Sequence, residues 1–177
     1  MAVMNAVNEE AVAGFFAGDL PFLGIVGTIQ DVLADPARPR VEPADGVDAL
    51  LDAIEADGAR WGIVTNKPEY LARQVLPTLG WDTRSAILVG GARLAQRKPH
   101  PLPLLHSAAE LGVAITDCVY VGDDQRDIEA ARAAGMRSVV ALWGYRAADD
   151  DPVRWGGDAL VDDVSGLLEP GLWAALA

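Results

Sequence analysis

Three carboxylates fall within five positions at Gly122-Asp123-Asp124-Gln125-Arg126-Asp127, directly after the apolar run Cys118-Val-Tyr-Val121. Set so close at the end of a buried strand, they would repel one another unless a cation stood among them, and a hard divalent ion with oxygen ligands, magnesium above all, meets that need. Gly122 is read as the sharp turn that points Asp123 into a crevice, and Asp127 opens the following helix. The same acids would also complement the dipole of that helix as N-terminal residues. Two further groups belong with them. Thr65-Asn66-Lys67-Pro68 places a hydroxyl and an amide where an apolar run gives way to a helix, a natural anion cradle, although a Thr cap and an Asn turn would read the same. In Gln96-Arg97-Lys98-Pro99-His100-Pro101 the prolines restrict the backbone at Lys98, and a stiff mount suits an ammonium held in an ion pair better than one solvated at the surface.

These groups need a frame that brings strand ends together. Arg60 to Thr65, Ala86 to Val89, Cys118 to Val121 and Ser138 to Leu142 are runs of strand length, rich in β-branched residues and apolar on both faces. Helical spacing lies between them. Val47, Leu50, Leu51 and Ile54 form one stripe, with Asp45 expected as N-cap and Gly58 as the stop; Leu71, Val75, Leu76 and Leu79 form another, with Pro68 in its first turn and Gly80 at its end. Leu104 to Leu111 and Ile128 to Ala134 complete the set, closed by Gly112 and Gly135. Strict alternation of strand and helix implies right-handed crossovers and an α/β fold, a Rossmann-like doubly wound parallel sheet. Such sheets bind ligands at the carboxyl ends of their strands, where all three groups fall. Trp61 and Trp143 are expected beside adjacent strand ends.

With 177 residues, 51% of them hydrophobic, the chain can bury one good core, so a single domain spanning 1–177 is expected. A formal charge of −12 disfavours nucleic acid and anionic membrane as partners and leaves small molecules or proteins. No apolar stretch reaches the roughly 18 residues of a membrane span, and Met1-Ala-Val-Met-Asn5 lacks a basic start, so a cytoplasmic protein is expected. The single Cys118 excludes an intramolecular disulfide and reads as a core thiol. His100 and His106 are too few for a histidine-rich metal site and read as cap or surface residues.

Thr65-Asn66, Lys98-Pro99 and Gly122-Asp123-Asp124-Gln125-Arg126-Asp127 stand in the order and with the separations of the second, third and fourth motifs of the haloacid dehalogenase superfamily. Val64-Thr-Asn-Lys-Pro68, Arg97-Lys-Pro99, Val121-Gly-Asp-Asp124, Ala130-Ala-Arg-Ala-Ala-Gly135 and Gly144-Tyr145 resemble bacterial phosphoglycolate phosphatases. The tail, Asp150-Asp-Pro152, Trp155-Gly156, Asp158 and Val161-Asp162, resembles the related N-acetylmuramic acid 6-phosphate phosphatases. The resemblance covers residues 45–165. It implies that Thr65 and Asn66 hold a phosphoryl group, that Lys98 neutralises nucleophile and phosphate, that Asp123 binds magnesium with Asp124 as accessory ligand or support, and that Asp127 orients Lys98 or a metal-bound water. The implied ligand is a small phosphorylated metabolite.

The departures are equally specific. Family members begin with a strand ending in Asp-x-Asp-Gly-Thr, whose first aspartate attacks phosphorus and whose second protonates the leaving alcohol. The comparable stretch here, Phe22-Leu-Gly-Ile-Val-Gly-Thr-Ile29, keeps Gly27-Thr28 but has Gly24 and Val26 where the carboxylates belong. Only Gln30 to Ala44 remain for the helical cap that such enzymes insert, so the cap is expected to be absent or vestigial and residues 1–44 an atypical N-terminal segment. The crevice then stands open unless a second copy or a partner protein covers it. Alternatively, Glu9 to Leu20 is a cap remnant and the true first strand was lost upstream. Three functions stay open: a magnesium-dependent phosphatase impaired or truncated at its nucleophile, a pseudophosphatase that binds a phosphorylated ligand or a partner, and an unrelated α/β interaction domain.

Overall fold

The computed structural model describes residues 44–144 and 150–176. The expected first strand with Gly24 and Val26, the residual cap, and Tyr145 lie outside the described residues. Among the described residues five strands and five helices follow in order: α1 (Val47–Ala56), β1 (Ile63–Val64), α2 (Glu69–Leu79), β2 (Leu88–Val89), α3 (Leu102–Leu111), β3 (Val119–Gly122), α4 (Gln125–Ala134), β4 (Arg137–Ala141), β5 (Ala159–Val161) and α5 (Pro170–Leu176). Short 3-10 turns occupy Ile115–Asp117, Pro152–Trp155 and Val164–Leu168.

All strand pairing among the described residues is parallel, as the alternation requires. β1 pairs with β2, Ile63 opposite Leu88 and Val64 opposite Val89. β3, β4 and β5 form a second set in that order, with Val121 opposite Val139 and Ala141 opposite Val161. Side chains alternate along β4, and each face finds its own helices. Val139 packs with Leu50 of α1, Val161, Val164, Leu167 and Leu176. Val140 turns the other way, onto Ile128 of α4 and Trp155. Beside it, Leu104 of α3 meets Ala130, Ala131 and Ala134 of α4, where small residues let the two helices approach. Helices therefore cover both faces of the sheet, which is the doubly wound arrangement.

Element ends differ from expectation in instructive ways. The N-cap of α1 is Gly46, at φ 86°, and Asp45 makes no cap. Pro68 is the N-cap of α2 and not a first-turn residue, while Pro77 sits inside that helix. Gly80, Gly112 and Gly135 end α2, α3 and α4 in left-handed conformation, as their positions suggest. Trp61 and Trp143 do not share a rim. Trp61 precedes β1, packs edge-on against Trp81 at 5.8 Å and donates to Glu55, whereas Trp143 follows β4. Cys118 is half-buried, with its thiol on the Ala114 carbonyl; burial pushes the thiol up. No helix among the described residues is long and apolar enough to cross a membrane.

Candidate active site

The carboxyl ends of β1 and β3 and the loop ahead of α3 bring Asn66 and Asp127 together around Lys98. Its side chain is 8% exposed and its Nζ lies 2.6 Å from Oδ1 of Asp127, itself 10% exposed. The ammonium also donates to the Val64 carbonyl at 2.9 Å and to the Tyr120 hydroxyl at 2.7 Å. Asp127 reaches this position because α4 starts directly beyond β3 and Gly122 leaves room: a Cβ on Gly122 would lie 2.4 Å from the Asp127 Cβ. Gly122 continues the extended strand, so close approach, and not a sharp turn, is what demands glycine there.

Asn66 mounts the lysine. Its Nδ2 donates to the Lys98 carbonyl at 2.8 Å and its Oδ1 accepts from the Lys98 N–H at 3.1 Å, a two-bond clamp between the end of β1 and the loop before α3. This clamp engages the side-chain amide of Asn66. The Thr65 oxygen accepts from the Lys67 N–H at 3.1 Å, which leaves its own proton to donate. Gly91, after β2, braces this loop: it donates to the Lys67 carbonyl at 2.9 Å, and a Cβ on it would sit 2.1 Å from the main-chain oxygen of Asn66.

The acidic turn divides its labour. Asp123 stands against Gly144 so closely that a Cβ there would lie 2.0 Å from its own. Its charge is felt by both Asp127 and Tyr120. Asp124 is the N-cap of α4, accepting from the Arg126 N–H at 2.8 Å and pairing with the Arg126 guanidinium. No group of three His, Cys, Asp or Glu side chains arranged to hold a metal occurs among the described residues. Magnesium commonly keeps several waters and takes only one or two carboxylates together with substrate phosphate, and Asp123 supplies a hard oxygen donor of that kind.

Electrostatics separate these acids. Burial pushes the Asp127 carboxyl above the usual carboxylate range, against the pull of Lys98. The Arg126 hydrogen bonds hold Asp124 below it. Burial, with the charges of Asp127 and Asp123 adding to it, pushes the Tyr120 hydroxyl well up, so it stays protonated and donates to the Val64 carbonyl at 2.9 Å. Lys67 is drawn down by burial. Tyr120, Gly91 and Gly144 were not singled out by sequence as parts of the site's machinery. Tyr120 shares its period-two strand face with Gly122, which is the signal that could have found it. His100 caps locally, its Nδ1 accepting from the Leu102 N–H, and His106 faces Glu110; neither joins the site.

The profile described as haloacid dehalogenase-like hydrolase matches residues 21–141. A phosphoglycolate phosphatase of Xanthomonas campestris pv. campestris (strain 8004) is 63% identical over 129 residues, which are 73% of this chain and 58% of that protein. An N-acetylmuramic acid 6-phosphate phosphatase of Pseudomonas aeruginosa is 40% identical over 127 residues, 72% of this chain and 56% of that one. The chain thus spans less than two thirds of these relatives. Among solved structures, a predicted phosphoglycolate phosphatase from Haemophilus somnus superposes with a TM-score of 0.74 at 28% identity, over 82% of this chain and 63% of its own. With the motif order, the parallel α/β frame and the lysine-centred rim already in hand, these matches lead to one conclusion: the chain belongs to the haloacid dehalogenase-like hydrolase family.

Proposed function

We propose that this chain carries the phosphate- and magnesium-binding half of a phosphomonoester hydrolase of the phosphoglycolate phosphatase type. Its turnover is impaired because Gly24 and Val26 stand where the resemblance puts the two catalytic aspartates. The observation that carries the reading is the Lys98 ammonium, buried, ion-paired to Asp127 and clamped by Asn66 at the carboxyl end of β1. A fixed cation beside N–H and O–H donors at strand ends is an arrangement for a phosphoryl group.

Each residue then has a task. The Thr65 hydroxyl and the Asn66 N–H take phosphoryl oxygens, Lys98 offsets their charge, and Asp127 keeps Lys98 in place. Asp123 would hold magnesium, whose chemistry when bound is to neutralise charge on the phosphoryl oxygens. Asp124 and Arg126 fix the turn from which Asp123 projects. The ligand class is a small phosphorylated metabolite; 2-phosphoglycolate is the first to try, given the names of the relatives. A second copy or a partner protein would cover the rim.

The test is hydrolysis of p-nitrophenyl phosphate and of 2-phosphoglycolate with magnesium, alongside calorimetry with inorganic phosphate. The unaltered chain should bind phosphate in a manner that Lys98→Met abolishes, with turnover near background; Gly24→Asp with Val26→Asp should raise turnover. Robust hydrolysis by the unaltered chain that survives Asp123→Ala would refute the reading. A second reading, a pseudophosphatase that binds without turning over, is favoured by Gly24 and Val26 themselves. Phosphate binding that persists while the restored aspartates bring no activity would select it.

A further inference from the structure

Lys98 has three N–H bonds and meets three acceptors among the described residues: Asp127 Oδ1 at 2.6 Å, the Tyr120 hydroxyl at 2.7 Å and the Val64 carbonyl at 2.9 Å. An ammonium donates three hydrogen bonds and accepts none, so this one is complete without any ligand. A phosphoryl oxygen that is to receive a hydrogen bond from Lys98 must therefore displace one of the three.

The acceptors are not equivalent. Asp127 offers a carboxylate, and charge-assisted bonds are roughly twice as strong as neutral ones. The Val64 carbonyl belongs to β1 and cannot withdraw. The phenolic oxygen of Tyr120 gives part of its lone-pair density to the ring and is the poorest acceptor of the set. It also gives up least, because its own O–H remains on the Val64 carbonyl at 2.9 Å. Nor does the ring hold the ammonium by its face. Nζ is 5.2 Å from the ring centroid but 2.7 Å from the hydroxyl, so it lies out beyond the oxygen and not above the π system.

We propose that Tyr120 is a positioning residue for Lys98, whose hydroxyl holds the third ammonium proton in the resting site and yields it to a phosphoryl oxygen on binding. The inference rests on the phosphate reading above. It explains why a strand face that otherwise packs on Leu104, Ala130 and Ala131 carries tyrosine, since a phenylalanine would leave one buried Lys98 N–H unsatisfied. Tyr120 and Gly122 share that face, so the hydroxyl and Asp127 hold Lys98 from the same side of β3.

Calorimetry of the whole chain with inorganic phosphate tests it. Tyr120→Phe removes the internal competitor and should bind phosphate about two- to tenfold tighter, the range that one net hydrogen bond spans. A residue that merely packs would on removal weaken binding or leave it unchanged, and either result in a folded Tyr120→Phe protein overturns the proposal. Should that variant fail to fold, the chain labelled with carbon-13 at tyrosine Cζ gives a second reading, with Tyr120 assigned by elimination through Tyr70→Phe and Tyr145→Phe. Saturating phosphate should move the Tyr120 resonance, and should not in Lys98→Met; a resonance that stays put in the unaltered chain overturns the proposal. An unaltered chain that takes up no phosphate brings down the underlying reading and this inference with it, whereas Lys98-dependent binding with an indifferent Tyr120 defeats this inference alone.

Discussion

Asp127 and Asp124 open the same helix, yet one is a buried ion-pair partner and the other a surface cap. The Asp127 side chain is 10% exposed and faces the Lys98 ammonium. The Asp124 side chain is 38% exposed and faces Arg126, two residues along the chain. Their pKa values move in opposite directions, up for Asp127 through burial and down for Asp124 through its arginine. Residue type and position near a helix N-terminus therefore do not assign a role. What α4 packs against does, and the space that Gly122 leaves beneath Asp127 is what makes the difference.

The largest effect expected from this contrast is at the buried end. Asp127→Ala strands the Lys98 ammonium in a site with little water, and removing one partner of a buried pair costs about 3–5 kcal/mol. Removing both, as Lys98→Met with Asp127→Leu, should return most of that stability, since well-packed apolar replacements of buried pairs are often neutral or better. Urea unfolding of the single and double variants measures both. A single variant as stable as the parent would mean that the pair is solvated, and the contrast with Asp124 would collapse.

Next in size is the space itself. Gly122→Ala would press on Asp127, and Gly144→Ala on Asp123, at would-be Cβ distances of 2.4 Å and 2.0 Å. Overpacking of this kind costs about 1–3 kcal/mol. The two variants should differ in phosphate binding as well as in stability: Gly122→Ala acts on the lysine's partner, and Gly144→Ala on the carboxylate that would hold magnesium. Equal loss of magnesium-dependent phosphate binding in both would show that the two ends of the rim are not independent.

How far the sequence went depends on the range of the forces involved. The four strand runs, the helices between them and the gathering of Lys98, Asp123 and Asp127 were legible, because period, motif order and the carboxyl-end rule are local or topological. The strands proved shorter than their apolar runs at β1 and β2, where tertiary hydrogen bonds such as Ala86 N–H to the Trp61 carbonyl continue the pairing beyond the ladder. That the Asn66 side chain clamps Lys98 was not legible, because it depends on a loop 32 residues away. Tyr120 looked like one more apolar strand residue, since nothing in its neighbourhood along the chain reveals which ammonium its hydroxyl meets. That Asp124 caps α4 and pairs with Arg126 while Asp127 turns inward to Lys98 was not legible either, because acids that lie together in sequence need not face the same way in space.

At the exposed end the expected change is smaller. Asp124→Ala deletes the acceptor of the Arg126 N–H, and loss of such a cap costs about 1 kcal/mol. Asp124→Asn or Asp124→Ser should recover most of it, since both cap well, although neither restores the ion pair. If Asp124→Ala lowers magnesium affinity much more than stability, Asp124 is a ligand after all and the division of the acidic turn needs redrawing.

The finest discrimination comes from acid titration of stability in metal-free buffer. Asp124 is held below the ordinary Asp value of 3.8, so its contribution is present above that value and is lost as pH falls through its lower folded-state pKa. Asp127 is held above 3.8, so the folded state binds its proton more readily than the unfolded chain, and its contribution to stability falls as pH rises from 3.8 through the raised value. The two acids thus impose slopes of opposite sign on either side of 3.8. Asp124→Asn should flatten the slope on the acid side alone and Asp127→Asn the slope on the other side alone, measured by urea midpoints at closely spaced pH values. If Asp127→Asn instead flattened the acid side, Lys98 would be winning against burial, and the buried acid would titrate as the exposed one does.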